Sequence, residues 1–266
     1  MALTLGGGPL DRRAPHPANY RVDGPDGLLF WAPFPRRVRA LFGGETVLDT
    51  ERGMLLHESG LLPQLYVPRA DLREDLLTPT AHRTRCPFKG EAHYETVRVG
   101  GHTAENAVWS YPEPVPGADW LAGHSAVYGD RMDAWFDEDE EVFGHLRDPY
   151  HRVDVRAASR SVRVTVHGVE VAASRRALVL SETGLPNRYY LPEADVRTEL
   201  LVPSATHTVC PYKGTASYRA VRAGDVTVPD AVWYYPEPLP GARRIAGHLC
   251  FLAEGVRTEV DGTALA

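Results

Sequence analysis

The feature that most constrains the fold of this chain is an internal repeat. The stretch Cys86-Pro87-Phe88-Lys89-Gly90 recurs 124 residues later as Cys210-Pro211-Tyr212-Lys213-Gly214. The same offset aligns residues 36–129 with 160–253 without a gap, and roughly 40 of about 94 positions are identical. A duplication of this length predicts two homologous domains, each large enough to bury a core. We expect a flexible arm over residues 1–19, a first repeat over 20–132, an acidic structured linker over 133–159 and a second repeat over 160–266.

Composition excludes several classes of protein. The net charge is −6, with Lys+Arg 29 against Asp+Glu 35, so there is no broad basic field for nucleic acid. No apolar run approaches the roughly 18 residues of a spanning helix, and the first residues do not form a signal peptide. Three cysteines without a C-x-x-C pair indicate a reducing compartment and no structural zinc. We therefore expect a soluble cytoplasmic protein without membrane contact, metal or cofactor.

Hydrophobic alternation predicts strands in both repeats. Val38–Phe42 and Glu45–Asp49 flank Gly43-Gly44, the signal of a hairpin, and Val162–Val166 with Val169–Val171 copy them. Further β-like runs between Gly and Pro residues occur at 28–31, 54–58, 64–68, 92–97, 107–111 and 121–128 and, for most of these, again 124 residues later. Only residues 70–77 and 194–201 suggest a helical turn, with Asp71 and Asp195 near the start. The pattern predicts a mainly β fold of short antiparallel strands.

Two motifs carry a resemblance to a known family. They are Arg-Cys-Pro-Phe-Lys-Gly-Glu-Ala-His-Tyr from residue 85 and Ala-Val-Trp-Ser-Tyr-Pro-Glu-Pro from residue 107, each with a second copy. In these motifs the chain resembles the DUF427 family, whose function is unassigned. The resemblance implies two tandem β-tent-like (Mss4-like) domains of antiparallel sheets with at most short helices. The paired cysteines that bind zinc in related β-tent families are missing here. A nucleotidyltransferase label sometimes given to the family finds no Gly-Ser loop before Asp137-Glu138-Asp139.

The repeated cysteines and histidines are the candidate catalytic residues. Cys86 and Cys210 precede Pro and lie three residues from a lysine, whose ammonium favours a thiolate. The alternative is a small buried cysteine that packs at a turn. His124 and His248, which follow Ala-Gly in both copies, are candidates for the base, and the alternative is a structural hydrogen-bonded histidine.

Candidate ligand-binding residues are charged or aromatic and recur in both copies. Glu113 and Glu237 stand between prolines on a stiff segment, where each could face a ligand or form a salt bridge with Arg39 or Arg163. Aromatic residues two apart on a strand share a face and could wall a cleft or belong to the core. The set comprises Arg39, Glu58, Tyr66, Lys89, Trp109, Tyr111 and Glu113, with Arg163, Glu182, Tyr190, Lys213, Trp233, Tyr235 and Glu237 as the second copy.

The leading hypothesis is a small-molecule-binding protein or enzyme of unassigned reaction, with a site in each repeat or between the repeats. A non-catalytic ligand sensor is one alternative. A protein-interaction module is another, because the acidic run Asp137–Glu141 could dock a basic partner. With His145 this run could also bind a hard cation, or it could be a solvated face. Two homologous units in one chain predict a monomer with pseudo-twofold packing of its repeats.

Overall fold

The computed structural model describes residues 23–265, together with Pro17 and Asn19. The predicted flexible arm, residues 1–19, lies outside the described residues apart from these two positions. The chain divides into two compact units with the boundary between Tyr150 and His151. We call them unit 1 and unit 2 in chain order. In the described part of the chain, no helix is long and apolar enough to cross a membrane.

Unit 1 consists of two antiparallel sheets. Its eleven strands are β1 (Leu29–Pro33), β2 (Val38–Phe42), β3 (Glu45–Thr50), β4 (Met54–Glu58), β5 (Gln64–Pro68), β6 (Leu77–Cys86), β7 (Gly90–Val99), β8 (His102–Ser110), β9 (His124–Val127), β10 (Ala134–Asp137) and β11 (Glu140–Glu141). Seven strands form one sheet in the order β1-β4-β5-β9-β8-β7-β6, and four form the other in the order β11-β10-β2-β3. Helical structure in this unit is limited to 3₁₀ turns in the described residues.

Unit 2 repeats this plan. Its strands are β12 (Val153–Ala157), β13 (Val162–Val166), β14 (Val169–Ser174), β15 (Leu178–Glu182), β16 (Arg188–Pro192), β17 (Leu201–Cys210), β18 (Gly214–Ala223), β19 (Val226–Tyr234), β20 (His248–Phe251), β21 (Val256–Val260) and β22 (Thr263–Ala264). The sheet orders are β12-β15-β16-β20-β19-β18-β17 and β14-β13-β21-β22. The prediction of a mainly β chain with two antiparallel domains and only short helices is confirmed.

Each unit buries apolar side chains on both faces of its seven-stranded sheet. In unit 1, alternate residues of β2, among them Val38 and Phe42, are buried together with Val108 and Val127 of the large sheet. This cluster is the core between the two sheets. The residues next to these along each strand, such as Trp109 and Ala126, belong to a second cluster on the other face. Because successive side chains of a strand point to opposite faces, the large sheet is covered on both sides.

The predicted helical turns are 3₁₀ turns, and their aspartates do not cap them. Short 3₁₀ segments span Arg69–Asp71 and Glu74–Leu76, and the second copies span Glu193–Asp195 and Thr198–Leu200. Asp71 accepts a hydrogen bond of 2.6 Å from Thr50 Oγ1 and forms an ion pair with Arg52. Asp195 is held in the same way by Ser174 and Arg176. These aspartates therefore connect the turns to the small sheets.

The structure also contains strands that the sequence pattern does not predict. β6 and β17 are ten-residue edge strands, mostly exposed and interrupted by a register shift after Pro79 and Pro203. The stretch predicted as a linker, residues 133–159, contributes β10 and β11 to unit 1 and β12 to unit 2. Since β10 and β11 occupy the sheet positions that β21 and β22 occupy in unit 2, this linker is divided between the two repeated units.

Candidate functional site

The cysteine motif is the turn that joins β6 to β7, and the second repeated motif crosses it. Cys86 pairs with Gly90 at the end of the hairpin. Gly90 has φ +115°, and a Cβ there would lie 2.9 Å from the carbonyl oxygen of Glu113. The amide of Val115 donates to the carbonyl of Lys89 at 3.1 Å. The two motifs that carry the family resemblance are thus in direct backbone contact, and Gly90 permits the close approach.

A buried lysine–glutamate pair lies beside this turn in both units. Lys89 Nζ is 2.7 Å from Glu58 Oε1, and the side chains are 10% and 13% exposed. Lys213 and Glu182 form the same pair in unit 2. The ammonium of Lys89 also lies 5.6 Å from the ring centre of Tyr111. The structure therefore brings together the predicted residues Glu58, Lys89 and Tyr111.

Unit 2 adds a histidine to this pair. His151 Nε2 lies 3.0 Å from Glu182 Oε1, and its ring stacks on Tyr212 with 4.0 Å between ring centres. The equivalent position in unit 1 is Gly27, where a Cβ would lie 2.3 Å from the ring of Phe88. The aromatic residue of the Cys-Pro-x-Lys-Gly motif thus packs against Gly27 in unit 1 and against His151 in unit 2.

Burial and charge shift the pKa values around the pairs. Burial alone would raise the pKa of Glu182, but the hydrogen bond and charge of Lys213, with those of His151, lower it below the ordinary value. Burial also lowers the pKa of His151. Burial raises the pKa of Tyr111, and the nearby Cys86 and Glu58 raise it further. Glu182 is thus ionised and the Tyr111 hydroxyl protonated at neutral pH.

The predicted aromatic cleft is a packed cluster. Trp109 donates from Nε1 to the hydroxyl oxygen of Tyr66 at 3.3 Å, and both residues are buried. Trp233 and Tyr190 repeat this contact at 3.0 Å in unit 2. Burial raises the pKa of Tyr66 and of Tyr190. Tyr111 and Tyr235 are buried as well. The aromatic pairs therefore form part of the second core cluster in each unit.

The candidate catalytic residues do not form cysteine–histidine pairs. Cys86, Cys210 and Cys250 are free thiols. His124 Nδ1 donates to the carbonyl of Ala122 at 3.2 Å, and His248 Nδ1 to that of Ala246 at 2.9 Å. The ring of His124 packs edge-on against Trp31 at 5.3 Å. In the described part of the chain, neither His124 nor His248 hydrogen-bonds to a cysteine. Burial raises the pKa of Cys250 to about 12, so this thiol stays protonated.

The predicted arginines Arg39 and Arg163 lie on the small sheets, away from the lysine–glutamate pairs. Arg39, on the small sheet, contacts the carbonyl of Glu138 and, at 3.0 Å, Asp139. Arg163 pairs with Glu170 at 3.2 Å. Glu113 and Glu237 are exposed, and in the described part of the chain neither forms a salt bridge with Arg39 or Arg163.

The acidic run forms the hairpin of β10 and β11, and its first residues bind arginines. Arg36 makes two hydrogen bonds to Asp137, at 2.6 and 2.8 Å. The side chain of Glu138 accepts from the backbone amide of Arg37 at 2.9 Å. Among the described residues no group of His, Cys, Asp or Glu is arranged to hold a metal ion. The hard-cation alternative for this run is therefore not supported.

Unit 1 contains an open groove that the sequence analysis did not predict. Its volume is about 350 Å³. It is lined by Arg69, Pro79, Arg83, His93, Tyr94, Glu95, Ser110, Tyr111, Pro112, Gly123, His124 and Ser125. Of the predicted site residues, only Tyr111 and His124 are among them. The ring of His124 packs against Trp31. The polar groups of the groove therefore come mainly from residues that the sequence analysis did not single out.

Four polar residues of the groove form one row across the large sheet. Ser125 of β9 pairs with Ser110 of β8, Ser110 with His93 of β7, and His93 with Arg83 of β6. Val67 of the main core continues the row on the other side of Ser125. Residues paired across strands share a face, so the four side chains lie side by side. Ser125 is 1% exposed, and its Oγ has no hydrogen-bond partner in the described part of the chain.

The matching positions of unit 2 are filled by larger side chains. Ser125 corresponds to Leu249 and Ser110 to Tyr234, and both of these pack against the main core of unit 2. An ion pair beside the row is reversed in charge between the units. Arg69 contacts Glu95 in unit 1, and Glu193 contacts Arg219 in unit 2. The difference between the two copies at otherwise similar positions was the sequence signal for the groove.

Comparison with known proteins identifies the repeated unit. The family model described as a domain of unknown function (DUF427) matches residues 31–138 and 154–262. These ranges run from β1 to the turn of the acidic hairpin of unit 1 and from β12 to the turn between β21 and β22 of unit 2. Comparison with curated proteins gave no match. The chain therefore belongs to the DUF427 family and carries two copies of its domain in tandem.

Proposed function

We propose that this protein binds a small molecule in the groove of unit 1. One observation carries the proposal: an open groove of about 350 Å³ reaches a buried serine hydroxyl that lacks a hydrogen-bond partner in the described structure. This volume lies within the range of small-molecule sites. A buried hydroxyl without a partner costs about 1–3 kcal/mol, and a ligand atom that hydrogen-bonds to Ser125 would recover part of that cost.

The second unit supports the proposal by contrast. Leu249 and Tyr234 show that the same sheet can close these positions with apolar packing. Ser110 and Ser125 leave them open in unit 1, and an apolar core would be more stable without the two hydroxyls. We infer that unit 1 keeps the groove because it is used.

The proposed site differs from that of the leading hypothesis, which was lined by the repeated charged and aromatic residues. The repeated residues Glu58, Lys89, Tyr66 and Trp109 are buried and paired with one another, so they support the frame of each unit. In the described structure neither Ser110 nor Ser125 is hydrogen-bonded to His93 or His124. We therefore favour the non-catalytic alternative, a ligand-binding protein with one site per monomeric chain.

A thermal-shift screen of the full chain tests the proposal. The panel contains anionic, cationic and neutral metabolites, each at millimolar concentration. A ligand present at about 100 times its Kd stabilises the folded state by about 2.7 kcal/mol. The double variant Ser110→Tyr/Ser125→Leu, which copies unit 2 into unit 1, should lose the shift.

The matched control is His207→Gln in unit 2, at the position equivalent to Arg83, and it should keep the shift. If no compound stabilises the wild-type chain, or if the double variant responds as the wild type does, the proposal is wrong.

A further inference from the structure

We propose that the group recognised in the groove is a compact oxyanion, a carboxylate, sulfate or phosphate, held by Arg83 together with neighbouring donors among His93, Ser110 and Ser125. This inference rests on the proposed function, because it names the chemistry of the ligand at the same site. It follows from the charge of the groove, from the row of donors across the sheet and from the differences in unit 2.

The charge argument distinguishes the two arginines of the groove. Arg69 makes two hydrogen bonds to Glu95 and one of 3.0 Å to Glu74, so its charge is neutralised. Arg83 donates from Nη1 to the carbonyls of Thr80 and His82, at 2.7 and 2.6 Å. Within residues 23–265, Arg83 has no carboxylate partner. The groove thus contains one guanidinium whose charge is not compensated.

The remaining donors of this guanidinium are available for a ligand. A guanidinium carries five N–H donors in a planar fork that matches the oxygens of carboxylate and phosphate groups. Both of these hydrogen bonds of Arg83 come from Nη1, so its Nε and Nη2 are not used in them. Its charge and its other N–H groups can therefore bind an anion at the exposed end of the row.

The row continues as a series of donors from the surface into the sheet. Neighbouring side chains of such a row are about 5 Å apart, so two or three of them can contact one oxyanion. Serine and histidine can both donate. His93 Nε2 lies 3.3 Å from the exposed Glu91, so Nδ1, which donates when the imidazole is protonated, is the ring nitrogen left for a ligand. Glu95 is the one carboxylate among the described residues that line the groove, and it is bound to Arg69. An anion in the row therefore meets donors.

Unit 2 lacks this combination. The equivalent row consists of Leu249, Tyr234, Ser217 and His207, so the arginine and both serines are absent. The arginine of its reversed ion pair, Arg219, stacks on Tyr234 at 4.6 Å and donates to Glu193. We therefore expect one anion site per chain, in unit 1.

Calorimetric titration of the full chain tests the inference. The probes are inorganic phosphate, sulfate and acetate, with glycerol as a neutral probe of similar size, at constant ionic strength because salt screens exposed charges. Binding of one or more of the anions is expected at one site per chain. Arg83→Gln should weaken it at least tenfold, and Ser125→Ala about fivefold. His207→Gln should leave the affinity unchanged. Arg83 is exposed and Ser125→Ala removes one oxygen, so both variants are expected to fold, which their melting temperatures without ligand will show.

The outcomes separate the two proposals. Unchanged anion affinity in Arg83→Gln and Ser125→Ala would overturn the anion assignment. So would a screen in which neutral or cationic metabolites bind and the double variant Ser110→Tyr/Ser125→Leu abolishes their binding, and in that case the groove proposal would stand. Absence of binding in every class would overturn both. Anion binding that is lost in His207→Gln would place the site in unit 2 and contradict the assignment to unit 1.

Discussion

Replacement of Lys89 by methionine should destabilise unit 1 strongly. The side chains of Lys89 and Glu58 are nine-tenths and almost nine-tenths buried, with 2.7 Å between Nζ and Oε1. Methionine preserves the apolar stem of lysine and removes the charge. Glu58 then loses the ammonium that lies 2.7 Å from its carboxylate. Breaking a buried ion pair in this way costs about 3–5 kcal/mol. Because a tenth of each side chain still contacts water, we expect about 3 kcal/mol.

The double variant Lys89→Met/Glu58→Leu compares removal of both charges with removal of the lysine charge alone. Without either charge, no buried ion lacks a partner, and a buried pair replaced by apolar residues of similar volume is often neutral in stability. We therefore expect the double variant to be more stable than Lys89→Met by about 2 kcal/mol. This non-additivity is the coupling energy between the two residues.

Urea unfolding followed by tryptophan fluorescence is the assay. Four of the five tryptophans lie before residue 150, so the signal reports mainly on unit 1. Lys213→Met is the matched control, because it breaks the pair of unit 2 and should leave the unit 1 transition in place. A loss below about 1 kcal/mol in Lys89→Met, or additive effects in the double variant, would refute the assignment of this pair as a buried ion pair that supports the fold.

Three further predictions concern the same turn and the core beside it. Gly90→Ala should lower the free energy of unfolding in urea by about 3 kcal/mol, because its φ of +115° and the carbonyl of Glu113 at 2.9 Å both oppose a Cβ. The control Gly100→Ala, with open space around it, should cost about 1 kcal/mol. Equal losses in the two variants would contradict the close approach at Gly90. Burial lowers the pKa of His57, although Asp148 acts in the opposite sense. The fold therefore favours the neutral imidazole, and the stability present above the unfolded pKa near 6.5 is lost as pH falls through the lower pKa of the folded state. His57→Leu should therefore lose less stability than the wild type between pH 7 and 5, and parallel pH profiles would rule this out. Cys86 and Cys210 should react with iodoacetamide no faster than free cysteine, because each neighbouring lysine is paired with a glutamate and neither thiol has a histidine partner among the described residues. Rapid labelling of either would reopen the thiol mechanism.

The strands were predictable where their neighbours in sequence are also their neighbours in space. Val38–Phe42 and Glu45–Thr50 form a hairpin around Gly43 and Gly44, as alternation and turn chemistry predict. β6 was missed because its residues are mostly exposed and include Pro79, so only its pairing with β7 makes it a strand. The acidic hairpin was assigned to a linker because its residues differ from those of β21 and β22, although both hairpins occupy the same sheet positions.

The candidate site was predictable only in part, for a similar reason. The repeat singled out Lys89 and Glu58 because both recur, and the structure places them in contact. Recurrence of a residue in both copies did not show whether it supports the buried core or lines a binding surface. The four residues of the polar row do not recur: Ser125, for example, corresponds to Leu249, and Ser110 to Tyr234. Such differences could not be interpreted before the strand register placed them in one row.

Information local to the chain was sufficient for the duplication, the β class and the positions of most hairpins, because these depend on short-range periodicity and on turn residues. The tertiary structure decided which repeated residues are buried and which polar residues share a surface. Ser125, Ser110, His93 and Arg83 come from four different strands, and only hydrogen-bonded pairing between those strands brings them side by side. Pairing between distant segments is a property of the folded sheet, and the groove of unit 1 exists only at that level.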